Sequence, residues 1–160
     1  MISTSVAFVS VKKRLKEIFR ALRNLLGNSM VNDPIGDFIV RLTNAGAAGK
    51  SSVVVPFSNL KLAIAEKLLQ AGFVASVDKK GKKVKKTIEI TLAQKKTGTS
   101  RIEGVKRVSK PGRRMYRSVN EIVPVRYGRG ALILSTPAGI LTDKEARTQN
   151  VGGEALFEIW

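Results

Sequence analysis

The 160-residue sequence contains neither cysteine nor histidine. Disulfide bonds and thiolate metal sites are therefore excluded, as are Ser–His and Cys–His catalysis and imidazole-bound metals. We expect no cofactor, no metal and no small-molecule substrate. We also expect the protein not to be an enzyme, with carboxylate or lysine chemistry kept open only as a third alternative.

Long apolar runs are also absent, and none could span a bilayer. Near the N-terminus, positive charge follows a mildly apolar start instead of preceding it, which is the wrong order for a secretory signal. The sequence therefore predicts a cytoplasmic protein with no membrane partner.

Acidic residues are few, since 12 Asp and Glu stand against 29 Lys and Arg, and the formal net charge is +17. Such an excess favours a polyanionic partner, nucleic acid first and an anionic membrane surface second. A hydrophobic content of 43% argues against general disorder. The length suits one domain or two small ones.

Residues 1–29 differ from the rest of the chain. Apolar residues recur there at helical spacing between basic ones, which predicts a basic amphipathic helix that ends at Gly27. We interpret this segment as an accessory, partly disordered extension. Two alternatives stay open: an arm that contacts RNA or a neighbouring protein, and a segment that lies on a membrane or directs import into an organelle.

Residues 30–96 predict a small α-β-α-β-β domain. Its elements are a helix from Pro34 that ends at Gly46 and Gly49, a strand over 51–57, a helix from Ser58 to Gly72, and a hairpin of strands 73–78 and 87–94. Asp33 caps the first helix. The predicted buried faces are Ile35, Phe38, Ile39 and Leu42 in the first helix and Leu60, Ile64, Leu68 and Leu69 in the second.

Residues 97–160 predict a second domain of mostly antiparallel strands with one short helix. The strands are expected at 101–108, 113–117, 131–135 and 155–160, with a turn at 110–112 and a helical turn within 119–125. Thr142 and Glu145 form a capping box at the start of the short helix. The fold class is therefore α+β, with two small domains joined by the polar segment 95–99.

One strand of the second domain ends in two hydroxyls, Ser135 and Thr136, and is followed by Pro137, Ala138 and Gly139. Short hydroxyl side chains on a rigid turn suit RNA, because they allow close approach to phosphates, sugars and base edges. Gly139 permits the sharp turn behind them. On composition alone, a polar turn between two strands is the simpler interpretation.

Five cations around the turn at 110–112 are expected to contact phosphates, since few acids lie near them in the sequence; the alternative is a solubilising surface. They are Arg107, Lys110, Arg113, Arg114 and Arg117. The lysines of the hairpin tip 79–83 fit RNA contact and protection of a sheet edge equally well. Candidate secondary contacts in the first domain are Asn44, Lys50, Ser58 and Lys61.

Four segments together resemble the bacterial small ribosomal subunit protein S8 family. The most specific is Gly130–Arg147, and the others, in family order along the chain, are Asp33–Asp37, Arg107–Tyr116 and Gly152–Glu154. The resemblance covers residues 30–160. It implies two domains and a structural constituent of the small ribosomal subunit that binds 16S ribosomal RNA directly, beside neighbouring ribosomal proteins. It also implies a role in assembly of the central domain of that subunit, and family members can repress translation of their own messenger RNA.

By this resemblance, the RNA site lies on the second domain and includes Ser135, Thr136, Tyr116 and Glu154. Tyr116 would stack on a base or donate its hydroxyl, unless it is a core or edge-strand tyrosine. Glu154 would accept from a base amino group or orient the hydroxyl loop, unless it is a solvated strand residue.

The sequence departs from the family where Pro137 and Ala138 stand in place of a serine and a lysine. A hydroxyl, a backbone N–H and a charge are lost by this replacement. One or two family contacts must therefore be missing or replaced.

Overall fold

The protein is described by a computed structural model that covers residues 33–81, 86–95 and 98–160. The predictions made for residues 1–29, and for Lys82 and Lys83 of the hairpin tip, lie outside these residues. Below, the first half means residues 33–95 and the second half residues 98–160.

Helix α1 (Pro34–Ala47) begins where the sequence predicts, because its first turn is capped. Asp33 Oδ1 accepts hydrogen bonds from the backbone N–H groups of Ile35 and Gly36, at 3.2 and 2.9 Å. The predicted apolar face is buried. Gly46 lies inside the helix and not at its end, since the helical bonds continue past it.

Strands β1 (Ser52–Pro56), β2 (Val74–Lys80) and β3 (Thr87–Leu92) form an antiparallel sheet in the order β1-β3-β2. Helix α2 (Asn59–Gln70) connects β1 to β2 and packs against β2.

The prediction that Leu60 and Leu69 face the core is wrong, because each is 40% exposed. The buried positions of α2 are Lys61, Ile64, Ala65 and Leu68. They follow the i, i+3, i+4, i+7 spacing of one helical stripe, and the two leucines lie at its borders. Lys61 takes the place expected for an apolar residue because a lysine can bury its stem while its head reaches solvent.

The second half contains a five-stranded antiparallel sheet. Its strands are β4 (Val105–Arg107), β5 (Tyr116–Arg117), β6 (Ala131–Thr136), β7 (Gly139–Thr142) and β8 (Gly153–Ile159). Strand β8 pairs with β6 on one side and with both β4 and β5 on the other, and β7 pairs with β6. The mixed architecture confirms the α+β fold class.

The strands predicted at 101–108 and 113–117 are shorter than expected. Upstream of β4, Gly104 and Trp160 still exchange two backbone hydrogen bonds of 3.0 Å, and the Glu103 N–H also donates to the Trp160 carbonyl oxygen. Residues 101 and 102 therefore lie beyond the part of β8 with which the register would pair them. Between β4 and β5, a turn closed by Lys110 and Arg113 interrupts the pairing.

Short helical elements connect the remaining strands. Helix α3 (Asp143–Thr148) follows β7, and its predicted capping box is confirmed: the Glu145 carboxylate accepts from the Thr142 N–H at 2.9 Å, and the Thr142 hydroxyl accepts from the Glu145 N–H at 3.4 Å. Two short elements precede β6: a 3₁₀ turn, Val119–Glu121, and an irregular turn, Val125–Gly128.

The main apolar core contains residues of both halves, for example Phe38 and Ile64 with Ile133 and Phe157. A smaller cluster contains Leu132 with other residues of the second half. Because neighbouring residues of β6 belong to different clusters, both faces of this strand are covered.

Within the described residues, three ion pairs link the halves, and one of them joins Lys95 to Glu103 beside the segment that connects the halves. Arg107 of β4 donates to both carboxylate oxygens of Asp33, at 3.1 and 3.2 Å. The ammonium of Lys67 on α2 lies 2.7 Å from the Glu145 carboxylate of α3. Asp33–Trp160 form one compact unit, and the domain boundary between residues 96 and 97 stays a prediction.

Candidate nucleic-acid interface

Strand register brings three of the predicted site residues into one row. Ser135 of β6 lies directly opposite Glu154 of β8, and Glu154 lies directly opposite Tyr116 of β5. Directly opposed residues of antiparallel strands share a face, with Cβ atoms about 5 Å apart. The tyrosine is 69% exposed, while the other two side chains are half-buried. We call these three residues the Tyr116 row.

The carboxylate of Glu154 is held firmly in the middle of the row. It accepts hydrogen bonds from the Ser109 hydroxyl and from the Arg114 guanidinium, the latter at 2.8 Å. Partial burial raises the pKa of Glu154, but the hydrogen bonds from Ser109 and Arg114 outweigh burial and bring the pKa below its usual range. The group is therefore an anion at neutral pH and serves only as an acceptor.

The hydroxyls of Ser135 and Thr136, at the end of β6, differ in their hydrogen bonding. Thr136 is only 9% exposed, and its hydroxyl donates to the Gly139 carbonyl oxygen at 2.9 Å, across the turn. Ser135 is half-buried, and its hydroxyl forms no hydrogen bond with the residues that the structure describes. Successive residues of a strand face opposite sides, so only Ser135 belongs to the Tyr116 row.

The turn itself has the predicted form. Thr136 pairs with Gly139, and Pro137 and Ala138 form the exposed tip between them. Gly139 adopts φ +111°, a conformation that side chains disfavour.

Paired glycines bring β8 between its two neighbours. A Cβ on Gly153 would lie 2.3 Å from the Ser135 carbonyl oxygen, and a Cβ on Gly152 would lie 2.7 Å from the Arg117 carbonyl oxygen. Neither contact leaves room for a side chain. The next residue, Glu154, is thereby placed between β5 and β6.

The five predicted phosphate-binding cations are of two kinds. Lys110 and Arg113 are exposed, and neither forms an ion pair within the described ranges. The other three each have an acidic partner: Arg107 binds Asp33, Arg114 binds Glu154, and Arg117 lies 3.5 Å from Glu158. Few acids lie near the cluster in the sequence, but the fold brings distant acids to three of its five cations.

Arg107 is the most enclosed of the five, with a side chain only 12% exposed. Besides Asp33, it donates to the Leu156 carbonyl oxygen at 2.7 Å. Its guanidinium is thus occupied inside the protein, whereas Arg114 remains about half exposed while it holds Glu154.

The predicted secondary contacts are only partly brought together. Asn44 and Lys50 are exposed and line one shallow groove at the end of α1, with Arg41 and Ser52. Ser58 precedes α2 without a side-chain capping bond. Lys61 is 7% exposed and offers little surface.

Sequence reasoning missed Ser109. This residue is fully buried, and its hydroxyl both donates to Glu154 and lies within 3.4 Å of the Met115 N–H. It stands inside the Arg107–Tyr116 motif, but a serine before a Lys-Pro-Gly turn looks like a turn residue. Only the fold brings it to Glu154.

The fold and the site define an α+β protein with a row of polar side chains across three strands and exposed cations beside the row. Among residues 33–81, 86–95 and 98–160, no cluster of acidic side chains could hold a metal ion, and none of the helices has the length and apolar content of a membrane span. The chain belongs to the Ribosomal protein S8 family, whose pattern it matches over residues 33–160.

Curated relatives support this assignment along most of the chain. The chain is 44% identical over 131 residues to the small ribosomal subunit protein uS8 of Mycoplasma mobile, covering 82% of this chain and 98% of that protein. It is 46% identical over 132 residues to the uS8 protein of Mycoplasmopsis pulmonis, covering 82% and 99%. For the uS8 protein of Lachnoclostridium phytofermentans the identity is 46% over 131 residues, covering 81% and 98%.

Proposed function

We propose that this chain is a structural, non-enzymatic constituent of the small ribosomal subunit that binds 16S ribosomal RNA directly through the Tyr116 row. The observation that carries the proposal is the register that aligns Tyr116, Glu154 and Ser135 across three strands. The family assignment supports the ribosome as the setting. Neighbouring ribosomal proteins are the further partners we expect there.

The charge of the row indicates what it binds. An ionised carboxylate at the centre repels phosphates and accepts hydrogen bonds from base amino groups or ribose hydroxyls. Tyr116 offers an exposed ring for stacking on a base, and Ser135 offers a small donor and acceptor. The row therefore suits a splayed base or a minor-groove edge.

Phosphates belong at the flanks of the row. Lys110 and Arg113 are free to bind them, and Arg114 and Arg117 keep exposed surface beside their acidic partners. Arg107 instead holds β4 against α1. Thr136 and Gly139 shape the hydroxyl turn and bring its backbone close to RNA. Asn44 and Lys50 form a second contact from the first half.

The family also suggests two wider roles that we include in the proposal. One is assembly of the central domain of the small subunit, in which early binding organises the RNA. The other is repression of the protein's own messenger RNA, which would require a transcript that imitates the ribosomal site.

Binding of a small-subunit ribosomal RNA fragment, measured at several salt concentrations against bulk RNA, tests the proposal. Ser135→Ala should weaken binding of the specific fragment without changing the salt slope, because a neutral contact is lost. Arg113→Ala should reduce the slope by roughly one unit, since one phosphate contact is lost. Ser51→Ala, at an exposed serine in the first half, is the matched control. Equal loss of specific and bulk binding in Ser135→Ala would contradict the role of the row.

A further inference from the structure

A second aromatic and cationic surface lies away from the Tyr116 row. It is formed by the irregular turn Val125–Gly128 and the residues packed around it. A groove of about 670 Å³ opens there. We call it the Tyr127 face, and its defining residues are Arg101, Arg126, Tyr127, Arg129 and Trp160.

The backbone presents Tyr127 outward in an unusual way. Arg126 and Tyr127 have φ values of 49° and 57°, in the left-handed region that residues other than glycine rarely adopt. The turn is anchored on both sides, since Val125 is buried and the Gly130 N–H donates to its carbonyl oxygen at 3.1 Å. The ring of Tyr127 is fully exposed. The disfavoured backbone conformation therefore coincides with the exposed aromatic ring.

Two of the three arginines around this ring lie over aromatic groups and are not paired with acids. The Arg126 guanidinium lies 4.6 Å from the centre of the Trp160 ring, and Arg101 lies 5.6 Å from the centre of the Phe73 ring. The groove contains one acid, Glu103, and this acid pairs with Lys95. The hydrogen bond from Lys95 lowers the pKa of Glu103, and the nearby charges of Arg126 and Arg129 lower it further. Even so, none of the three arginines forms an ion pair among the described residues.

The Tyr127 face and the Tyr116 row lie at opposite ends of β6. The turn joins the start of this strand through Gly130, whereas Ser135 lies near its end. Strand residues rise about 3.3 Å each, so the two sites are roughly 15 Å apart. One small ligand cannot reach both.

We propose that the Tyr127 face is a second RNA-binding site, one that takes a single-stranded segment. A base stacks on Tyr127, and the adjoining phosphates lie against Arg101, Arg126 and Arg129. The inference rests on the proposed function in one respect, namely that RNA is the polyanion this protein meets. An acidic peptide matches the charges, but its carboxylates give Tyr127 no ring to stack on.

The single tryptophan of the chain makes the test local. Trp160 lines this groove and also a neighbouring one that contains Lys106 and Glu158. Its fluorescence therefore reports a ligand at this end of the sheet, and substitutions of Tyr127 and Arg129, which line only the first of the two grooves, assign the response to the Tyr127 face. The full chain is titrated with an unstructured, mixed-sequence RNA oligonucleotide. We expect saturable quenching of Trp160 in the wild type and in Tyr127→Phe, which keeps the ring.

Tyr127→Asn removes the ring but keeps a residue that tolerates the left-handed backbone. We expect it to weaken the affinity read from Trp160 by about fivefold to a hundredfold, the usual worth of one base stack, with an unchanged salt slope. Arg129 lies outside the left-handed pair Arg126 and Tyr127. Arg129→Gln should reduce the dependence of affinity on salt concentration by roughly 0.7 in slope. It also keeps the test valid if Tyr127→Asn does not fold.

Two results would overturn the inference. One is wild-type quenching and affinity in both Tyr127→Asn and Arg129→Gln. The other is a Trp160 response to polyglutamate that equals or exceeds the response to RNA, which would identify an acidic protein as the partner. If binding of the ribosomal RNA fragment still depends on Ser135 in either case, only this inference fails. If neither RNA binds, the proposed function fails as well.

Discussion

At the residue scale, Glu154 shows best what sequence and structure each contribute. A carboxylate after two glycines in a strongly basic chain is visible in the sequence as an unusual residue for an RNA-binding face. Its place between Tyr116 and Ser135 could not be predicted, because a one-residue change of register would move it to the other face of the sheet. Its partner Ser109 lies 45 residues away in the chain.

Glu154→Gln should lower the free energy of unfolding by about 1–2 kcal/mol at neutral pH, since hydrogen bonds to a charged group are lost and Arg114 is half exposed. The pKa of Glu154 is depressed in the folded protein. Its stabilising contribution is therefore complete above the unfolded-state pKa of about 4.3 and disappears as the pH falls through the lower folded-state pKa. Urea denaturation of both proteins across this range measures the effect.

Glu66→Gln is the control for that comparison, because Glu66 is exposed on α2 and forms no ion pair in the part of the chain that the structure describes. Its substitution should change stability by less than about 0.5 kcal/mol. A constant difference between wild type and Glu154→Gln at every pH would argue against an ionised, hydrogen-bonded carboxylate.

At the scale of the element, helices were predicted better than strands. The start of α1 and the capping box of α3 depend on residues close together in the sequence, so Asp33 and Thr142 could be recognised directly. The limits of β4 and β5 depend on which part of β8 they meet, and no local pattern contains that information.

Gly153→Ala should destabilise the protein by about 1–3 kcal/mol, because the new methyl group would overlap the Ser135 carbonyl oxygen and force β6 and β8 apart. Binding of the ribosomal RNA fragment should weaken too, since the Tyr116 row depends on this pairing. Urea denaturation and the binding titration measure the two effects separately.

Gly112→Ala provides the matched control, since a Cβ at Gly112 has no heavy atom within 4 Å. We expect stability within about 0.5 kcal/mol of the wild type. Similar losses in both alanine variants would show that close strand approach is not the cause.

At the scale of the whole molecule, the contacts between the halves were the least predictable feature. Asp33 and Arg107 are 74 residues apart, and Lys67 and Glu145 are 78 apart. Both acids were expected only as helix caps. In the fold, each acid also pairs with a cation from the other half. The pairing of Asp33 with Arg107 shows why the number of acids near the basic cluster in the sequence does not predict which cations are paired.

Asp33→Asn should separate these two roles. Asparagine still caps a helix, but Arg107 would keep its enclosed charge without an anionic partner. We expect a loss of about 2–3 kcal/mol in the free energy of unfolding at neutral pH. Denaturation by urea provides the measurement.

Asp37→Asn on the same helix is the comparison, because the Asp37–Arg41 pair is solvent-exposed and four residues apart. Its loss should cost no more than about 0.5 kcal/mol. If the two asparagine variants were equally stable, the ion pair between the halves would contribute nothing beyond a surface pair.

The ion pair between Asp33 and Arg107 has a consequence for how a complex forms. It holds β4, beside the Tyr116 row, against α1 of the first half in the absence of any ligand. A surface held in this way changes its conformation little, so the nucleic acid loses most of the conformational entropy that docking costs. Transcripts already bent into the matching shape should therefore associate faster than flexible ones of the same sequence.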